Sequence, residues 1–216
     1  MPGAAAIILA AMAAAATLYG SWIMIRDSRK PDERADLRLS SWSLWSAAAA
    51  TGTAGELAVA PRQLASGFYT GLDAAACMIV LCVAWMYGTR EFSRLDAVCT
   101  VLAGAGIVML AIAIASPRAL PVWAAITISA LTDLAAFIPT YRHGWADPGG
   151  EPWAGFAWFG LGGTLTLAAV LVHQPSAAGL IYPGYLLAAN AAMVSIILAR
   201  PSRQPARMAA FINDPL

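Results

Sequence analysis

The chain has 216 residues, 60% of them hydrophobic and only 12% charged, with a mean hydropathy of +0.66 and a formal net charge of +1. A soluble globular domain carries about 25% charged residues, so this composition belongs in a bilayer. The near-neutral balance offers no basic surface for nucleic acid.

A helix needs about 20 apolar residues to cross roughly 30 Å of hydrocarbon. Seven stretches come close: Ala4–Ile25, Ser41–Ala60, Gly67–Tyr87, Ala97–Ala115, Pro121–Tyr141, Trp153–Val172 and Leu180–Ala199. Together they fill most of the chain and leave no room for a separate soluble domain. The predicted fold is all-α, with seven transmembrane helices.

The first stretch is rich in Ala-x-Ala triplets, as a secretory signal is, but Met1-Pro-Gly-Ala has no basic side chain before it. A retained helix is therefore expected. The second stretch opens on Trp42-Ser-Leu-Trp45 and carries Glu56 near its far end, where the side chain is expected to reach the interface. In the third, Asp73 lies six residues in, and Gly67-Phe-Tyr-Thr-Gly71 has a small-xxx-small spacing. Asp96 opens the fourth, where the helix dipole favours an acid. Cys77, Cys82 and Cys99 all fall inside apolar stretches and read as small packing residues, without a disulfide framework.

The fifth stretch holds Asp133 about twelve residues in, then Pro139-Thr140. Pro139 has no amide hydrogen and crowds the carbonyl near Ala135, so the helix bends there or ends there. The first reading makes Pro139 a hinge candidate. The second leaves Tyr141 and Trp145 as headgroup anchors. In the sixth stretch, Gly160-Leu-Gly162-Gly163 reads as helix packing and not as a nucleotide cradle. In the seventh, Pro183 is expected in the first turn, where proline is tolerated, and Asn190 sits mid-helix.

Charge placement sets the orientation. Eleven of thirteen Lys and Arg residues fall in the loops after the odd-numbered stretches or in the tail, and only Arg62 and Arg118 lie on the other side. Cytoplasmic loops collect this excess, so the N-terminus is expected outside and the C-terminus inside. Arginine outnumbers lysine twelve to one and alanine is abundant, which points to a high-GC bacterial genome and a plasma-membrane (bacterial inner membrane) location.

A segment occurs twice. Arg26 is followed sixteen residues later by Trp42, and Arg142 sixteen residues later by Trp158, the copies being 116 residues apart. Each copy is an apolar helix, an arginine, a polar loop and a second helix led by tryptophan. An odd helix between the copies makes the repeats parallel, about an axis along the membrane normal. The expected organisation is 1–92 as the first three-helix unit, 93–118 as the linker helix, 119–200 as the second unit and 201–216 as a cytoplasmic tail.

Seven helices divided three, one and three, with Phe137-Ile-Pro-Thr-Tyr-Arg142, Glu151 and Trp158 at the duplicated motif, resemble the superfamily of SWEET sugar transporters and PQ-loop proteins. That family ends the first helix of each unit with Pro-Gln. Here Pro139-Thr140 stands in the second unit, and the proline is missing from the first. Trp42-Ser-Leu-Trp45, Asp133, Pro139-Thr140, Trp145 and Tyr182-Pro183 also resemble a group of bacterial seven-helix membrane proteins, a likeness that implies no particular substrate. The resemblance implies hinge prolines and a pore-lining asparagine in the third helix of each unit. Asn190 is similar to the second of these; its partner in the first unit is Asp73 or Cys77, depending on the alignment.

Ionisable groups at mid-membrane cost about 2.5–3.5 kcal/mol each and usually face a cavity or a partner. Asp133 is the deepest. It is the proton-coupling candidate, or else a structural hydrogen bond to a neighbouring helix through Thr or Ser. Asn190, Asp73 and Cys77 are the substrate-binding candidates. Two asparagines would suit a neutral polyol, and an Asp opposite an Asn would suit a cationic or protonated solute. Most tryptophans are expected in interfacial belts.

Other chemistries lack their residues. The only lysine, Lys30, lies in a loop, so no retinal Schiff base forms. His143 and His173 are expected in loops on opposite sides, which leaves no metal cluster. No catalytic constellation or cofactor is expected. The expected function is movement of a small polar solute, a sugar or similar, by a facilitator or a proton-coupled transporter. The rival is a receptor or an accessory subunit of a membrane complex. Membrane lipids, and a second copy or another membrane protein, are the expected partners.

Overall fold

The computed structural model describes residues 3–29, 37, 39–59, 64–88, 90, 92–116, 122–173 and 175–199. Among them are seven α-helices: α1 Ala4–Ser28, α2 Leu39–Val59, α3 Leu64–Tyr87, α4 Arg94–Ala115, α5 Val122–Ala146, α6 Trp153–His173 and α7 Ala177–Ala199. A single 3₁₀ turn, Pro148–Gly150, joins α5 to α6. Five helices (α1, α4, α5, α6 and α7) contain segments long and apolar enough to cross a membrane, and α3 contributes a shorter apolar run, Gly71–Tyr87. The tail 201–216 and most of the loop arginines lie outside the described residues, as does the side chain of Glu56.

Residue distribution is inverted relative to a soluble bundle. Ile8, Val101, Leu102, Met109, Trp123, Leu131 and Leu198 are exposed on helix surfaces, whereas Thr17, Ser21, Asp73, Thr132, Asp133 and Asn190 are buried. A contiguous apolar exterior is costly in water and suited to lipid. Between helices in lipid, close packing replaces the hydrophobic effect, and small residues permit it. At Gly20 of α1 an added Cβ would lie 3.0 Å from the Gly155 carbonyl oxygen and 3.2 Å from Trp158 Cβ in α6. Gly163 of α6 lies as close to α7, where a Cβ would meet the Leu187 nitrogen at 3.1 Å and the Pro183 oxygen at 3.2 Å. The glycines at 160, 162 and 163 are buried packing positions, as expected from the sequence.

Helix ends depart from the expected boundaries where local hydrogen bonds extend them. α4 starts on a capping box: Ser93 Oγ accepts from the Asp96 amide at 3.2 Å, and the Ser93 amide donates to Asp96 Oδ2 at 2.7 Å. Such reciprocal capping satisfies two amides that have no partner within the helix. α7 starts at Ala177, behind Ser176, whose hydroxyl accepts from the Gly179 amide at 3.0 Å. Pro183 is therefore the seventh residue of α7, inside the helix and not in its first turn. α3 starts at Leu64, which makes Asp73 its tenth residue instead of the seventh and places it near mid-height. α5 runs through Pro139 to Ala146. Its last turns are held by Tyr141 Oη donating to the Ala189 carbonyl at 2.9 Å and by His143 Nδ1 against Glu151 Oε1 at 2.8 Å. His143 and His173 thus sit in the last turns of α5 and α6, not in loops.

The packing order follows from these contacts. α3 packs against both α1 and α2, and α7 packs against both α5 and α6. α1 lies along α6, and α2 lies along α5. α4 packs on α5 and α2. Beside Met24 of α1 and Ala103 of α4, the main core cluster gathers Trp42, Trp45, Val80, Ala136, Phe137, Phe156 and Met193 from α2, α3, α5, α6 and α7.

Candidate functional site

One cavity lies where these five helices converge. α2 contributes Trp42 and Trp45, α3 Asp73 and Cys77, α5 Asp133 and Phe137, α6 Phe156 and Phe159, and α7 Leu186 and Asn190. The spacing of each pair is what a helix requires to put two side chains on one face, three or four residues apart. The space open to water centres is about 40 Å³, room for about three waters. A solute of more than a few heavy atoms enters only if side chains or helices move.

The four polar candidates named from sequence meet here: Asn190, Asp73, Cys77 and Asp133 all line this cavity. Asp73 is 8% exposed and Asp133 5%. The two carboxyls lie within electrostatic reach of each other. Neither forms an ion pair among the described residues, and no lysine, arginine or histidine lines the cavity. Beside Asp133 stands the Tyr185 hydroxyl of α7, at a geometry short of a full hydrogen bond.

Several buried polar atoms around the cavity have no hydrogen-bond partner. Asn190 donates its Nδ2 to the Leu186 carbonyl at 2.8 Å, which leaves Oδ1 unpaired. Trp45 Nε1 is also unpaired, as is the Tyr185 hydroxyl. An unsatisfied buried donor or acceptor costs about 1–3 kcal/mol. One acceptor and one donor left open on residues that line a largely apolar cavity are what a solute, or ordered water, would satisfy.

The walls are aromatic. Trp42 and Trp45 pack edge to face at 4.7 Å between ring centroids, and Trp45 meets Phe137 at 4.8 Å. Trp42 and Trp45 are 4% and 5% exposed, whereas Trp22, Trp85, Trp123, Trp145 and Trp153 are exposed. The sequence signal was present in the three-residue spacing of Trp42-Ser-Leu-Trp45, which faces both rings one way. Phe137, Phe156, Phe159 and Tyr185 had no comparable signal, because single aromatics in apolar helices have many uses. The α6 residues that share the cavity with Trp42 and Trp45 are Phe156 and Phe159, each 114 positions later. Trp158 packs instead on Tyr19 of α1, ring centroids 4.8 Å apart.

A second, smaller cavity of about 10 Å³ adjoins the first through Trp42, Trp45 and Phe156. Its other walls include Ser41, Thr140 and Glu151, so the residue after Pro139 and the partner of His143 lie on its lining. Pro139 itself is buried within α5 and belongs to neither lining. Among the described residues, no group of three His, Cys, Asp or Glu is placed to hold a metal ion. Compared with known protein families, curated proteins and solved structures, the chain matches none of them.

Proposed function

We propose that this chain is a small-solute membrane transporter or facilitator with its site in the central cavity, between two parallel three-helix units. The observation that carries the reading is the joint lining. Asp73 and Cys77 from α3 face the same space as Asp133 from α5 and Asn190 from α7, with open hydrogen-bonding atoms on Asn190 and Trp45. A site between repeated units, near mid-membrane, is where alternating access places its solute.

The contact order supports the three-one-three arrangement. α1·α3 and α2·α3 recur as α5·α7 and α6·α7, and α1·α6 recurs as α5·α2, with α4 as the unpaired linker. This supports the SWEET-like and PQ-loop-like reading of the sequence. α2 and α3 are 21 and 24 residues long, enough to complete seven spans. The N-terminus lies outside and the protein resides in the bacterial inner membrane. Asp133 is the coupling carboxyl, able to carry a proton alternately with the solute, and Pro139 is the hinge.

The test is solute flux in vesicles reconstituted with the purified chain, using neutral polyols, amino acids and small amines. Saturable flux that requires Asn190, and loses its pH dependence in Asp133→Asn, supports the reading. Absence of flux for every solute, together with a membrane protein that co-purifies at fixed ratio, replaces it with the accessory-subunit reading.

A further inference from the structure

The central cavity has an unbalanced charge. Asp73 and Asp133 face it from opposite units, both buried, and no basic side chain lines it among the described residues. The other titratable groups within electrostatic reach of Asp133 are Cys77 on α3, Tyr141 on α5, and Tyr182 and Tyr185 on α7. None of these can supply positive charge. α2 and α6 contribute only aromatic rings to the lining. Buried carboxylates need a counter-charge, and since none of the described lining residues carries one, a proton or a cation is the counter-charge that suits this cavity.

Two further features distinguish these possibilities. Asn190, 2% exposed, keeps Oδ1 as an unpaired acceptor at the wall, and Trp45 keeps Nε1 as an unpaired donor. A proton bound to a carboxyl satisfies neither. The rings of Trp42, Trp45 and Phe137 form one contiguous aromatic cluster along the cavity lining, and aromatic rings are the kind of group that attracts ammonium. A neutral polyol would satisfy the open atoms and leave the carboxyl charge unmatched.

We propose, resting on the transport reading above, that the solute is a small organic cation: a primary amine or quaternary ammonium that also carries a hydroxyl. Its positive end sits between the Asp73–Asp133 pair and the Trp42–Trp45–Phe137 wall. Its hydroxyl meets Trp45 Nε1 or Asn190 Oδ1. Cations and protons compete for the same carboxyls, so entry of one displaces the other.

The test uses the purified full-length chain in detergent, with ethanolamine and choline as cationic probes. Glycerol and 3,3-dimethylbutan-1-ol, the uncharged isostere of choline, are the neutral probes. Calorimetric titration should show at least one cation binding about ten-fold or more tightly than either neutral probe, and weakening as pH falls. Asp73→Asn and Asp133→Asn should each weaken that binding about ten-fold or more. Where a variant fails to fold, the wild-type comparison of choline with its isostere decides. Neutral probes binding as tightly as the cations, or cation binding unchanged in both folded variants, overturns the proposal. If polyols bind and are transported while cations are not, the cation class falls and the transport reading stands. Absence of binding by all four probes, with no vesicle flux for any solute, overturns both.

Discussion

Asn190 shows how a single buried amide separates stability from function. Its Nδ2 is satisfied within its own helix by the Leu186 carbonyl, and its Oδ1 is buried with no partner. Replacing a half-satisfied polar group by an apolar one of similar size removes a desolvation penalty of about 1–3 kcal/mol. Asn190→Leu is therefore expected to keep or raise the unfolding temperature while it weakens solute binding roughly ten-fold or more. Paired thermal-shift and flux measurements check this. A lower melting point with unchanged flux would make Asn190 a packing residue. Asp133 follows different logic. Its carboxyl interacts with Asp73 and Tyr185 across helix boundaries, so its substitution changes how the site responds to pH. Flux in Asp133→Asn vesicles should depend on pH less steeply than in the wild type, the remainder being carried by Asp73. A wild-type-like profile in that variant would remove Asp133 from the coupling role.

At the scale of helices, backbone proximity and proline are the two devices to test. Gly163 lies so close to α7 that an added Cβ meets main-chain atoms of Leu187 and Pro183, which cannot rotate away. Gly163→Val should therefore cost about 1–3 kcal/mol by overpacking and lower the melting temperature. Gly104 of α4 is the matched control, since a Cβ there meets nothing within 4 Å. Gly104→Ala should be neutral or gain up to about 1 kcal/mol from helix propensity. Equal effects at the two positions would contradict the packing described. Pro139 lies inside α5, seven residues before its end, and denies the Ala135 carbonyl its helical donor. Pro139→Ala should stabilise the helix, by up to about 3 kcal/mol, and slow transport if α5 bends there during the cycle. A raised melting point with unaltered flux would leave Pro139 structural.

For the whole molecule, orientation is the property that charge alone predicts. Eleven of thirteen basic residues alternate to one side of the chain, which predicts the N-terminus outside and the C-terminus in the cytoplasm. A reporter active only in the cytosol should work when fused after Leu216, and one active only outside should fail there. The reverse result would mean an altered orientation or an even number of spans. α1 packs on α6 and α2 on α5, and the cavity lies among α2, α3, α5, α6 and α7.

The sequence by itself determined the elements. Seven apolar stretches reappear as seven helices, because hydrophobic length is a local property that the bilayer reads directly. It also singled out Asn190, Asp73, Cys77 and Asp133, since polar groups in apolar helices are costly and stand out against their surroundings. Their convergence was not legible. Asp73 and Asp133 are sixty positions apart, and only the packing of α3, α5 and α7 brings them to one cavity. Helix ends such as Ser176 and Leu64 were missed, because capping hydrogen bonds and helical turns extend past the apolar run. The tertiary structure alone decided which tryptophans face the site. Trp42 and Trp45 could equally have been interfacial anchors, but both are buried: α2 lies along α5, Trp45 packs on Phe137, and Trp42 packs on Trp45. A side chain's direction depends on which neighbour its helix packs against, and no window of sequence contains that neighbour.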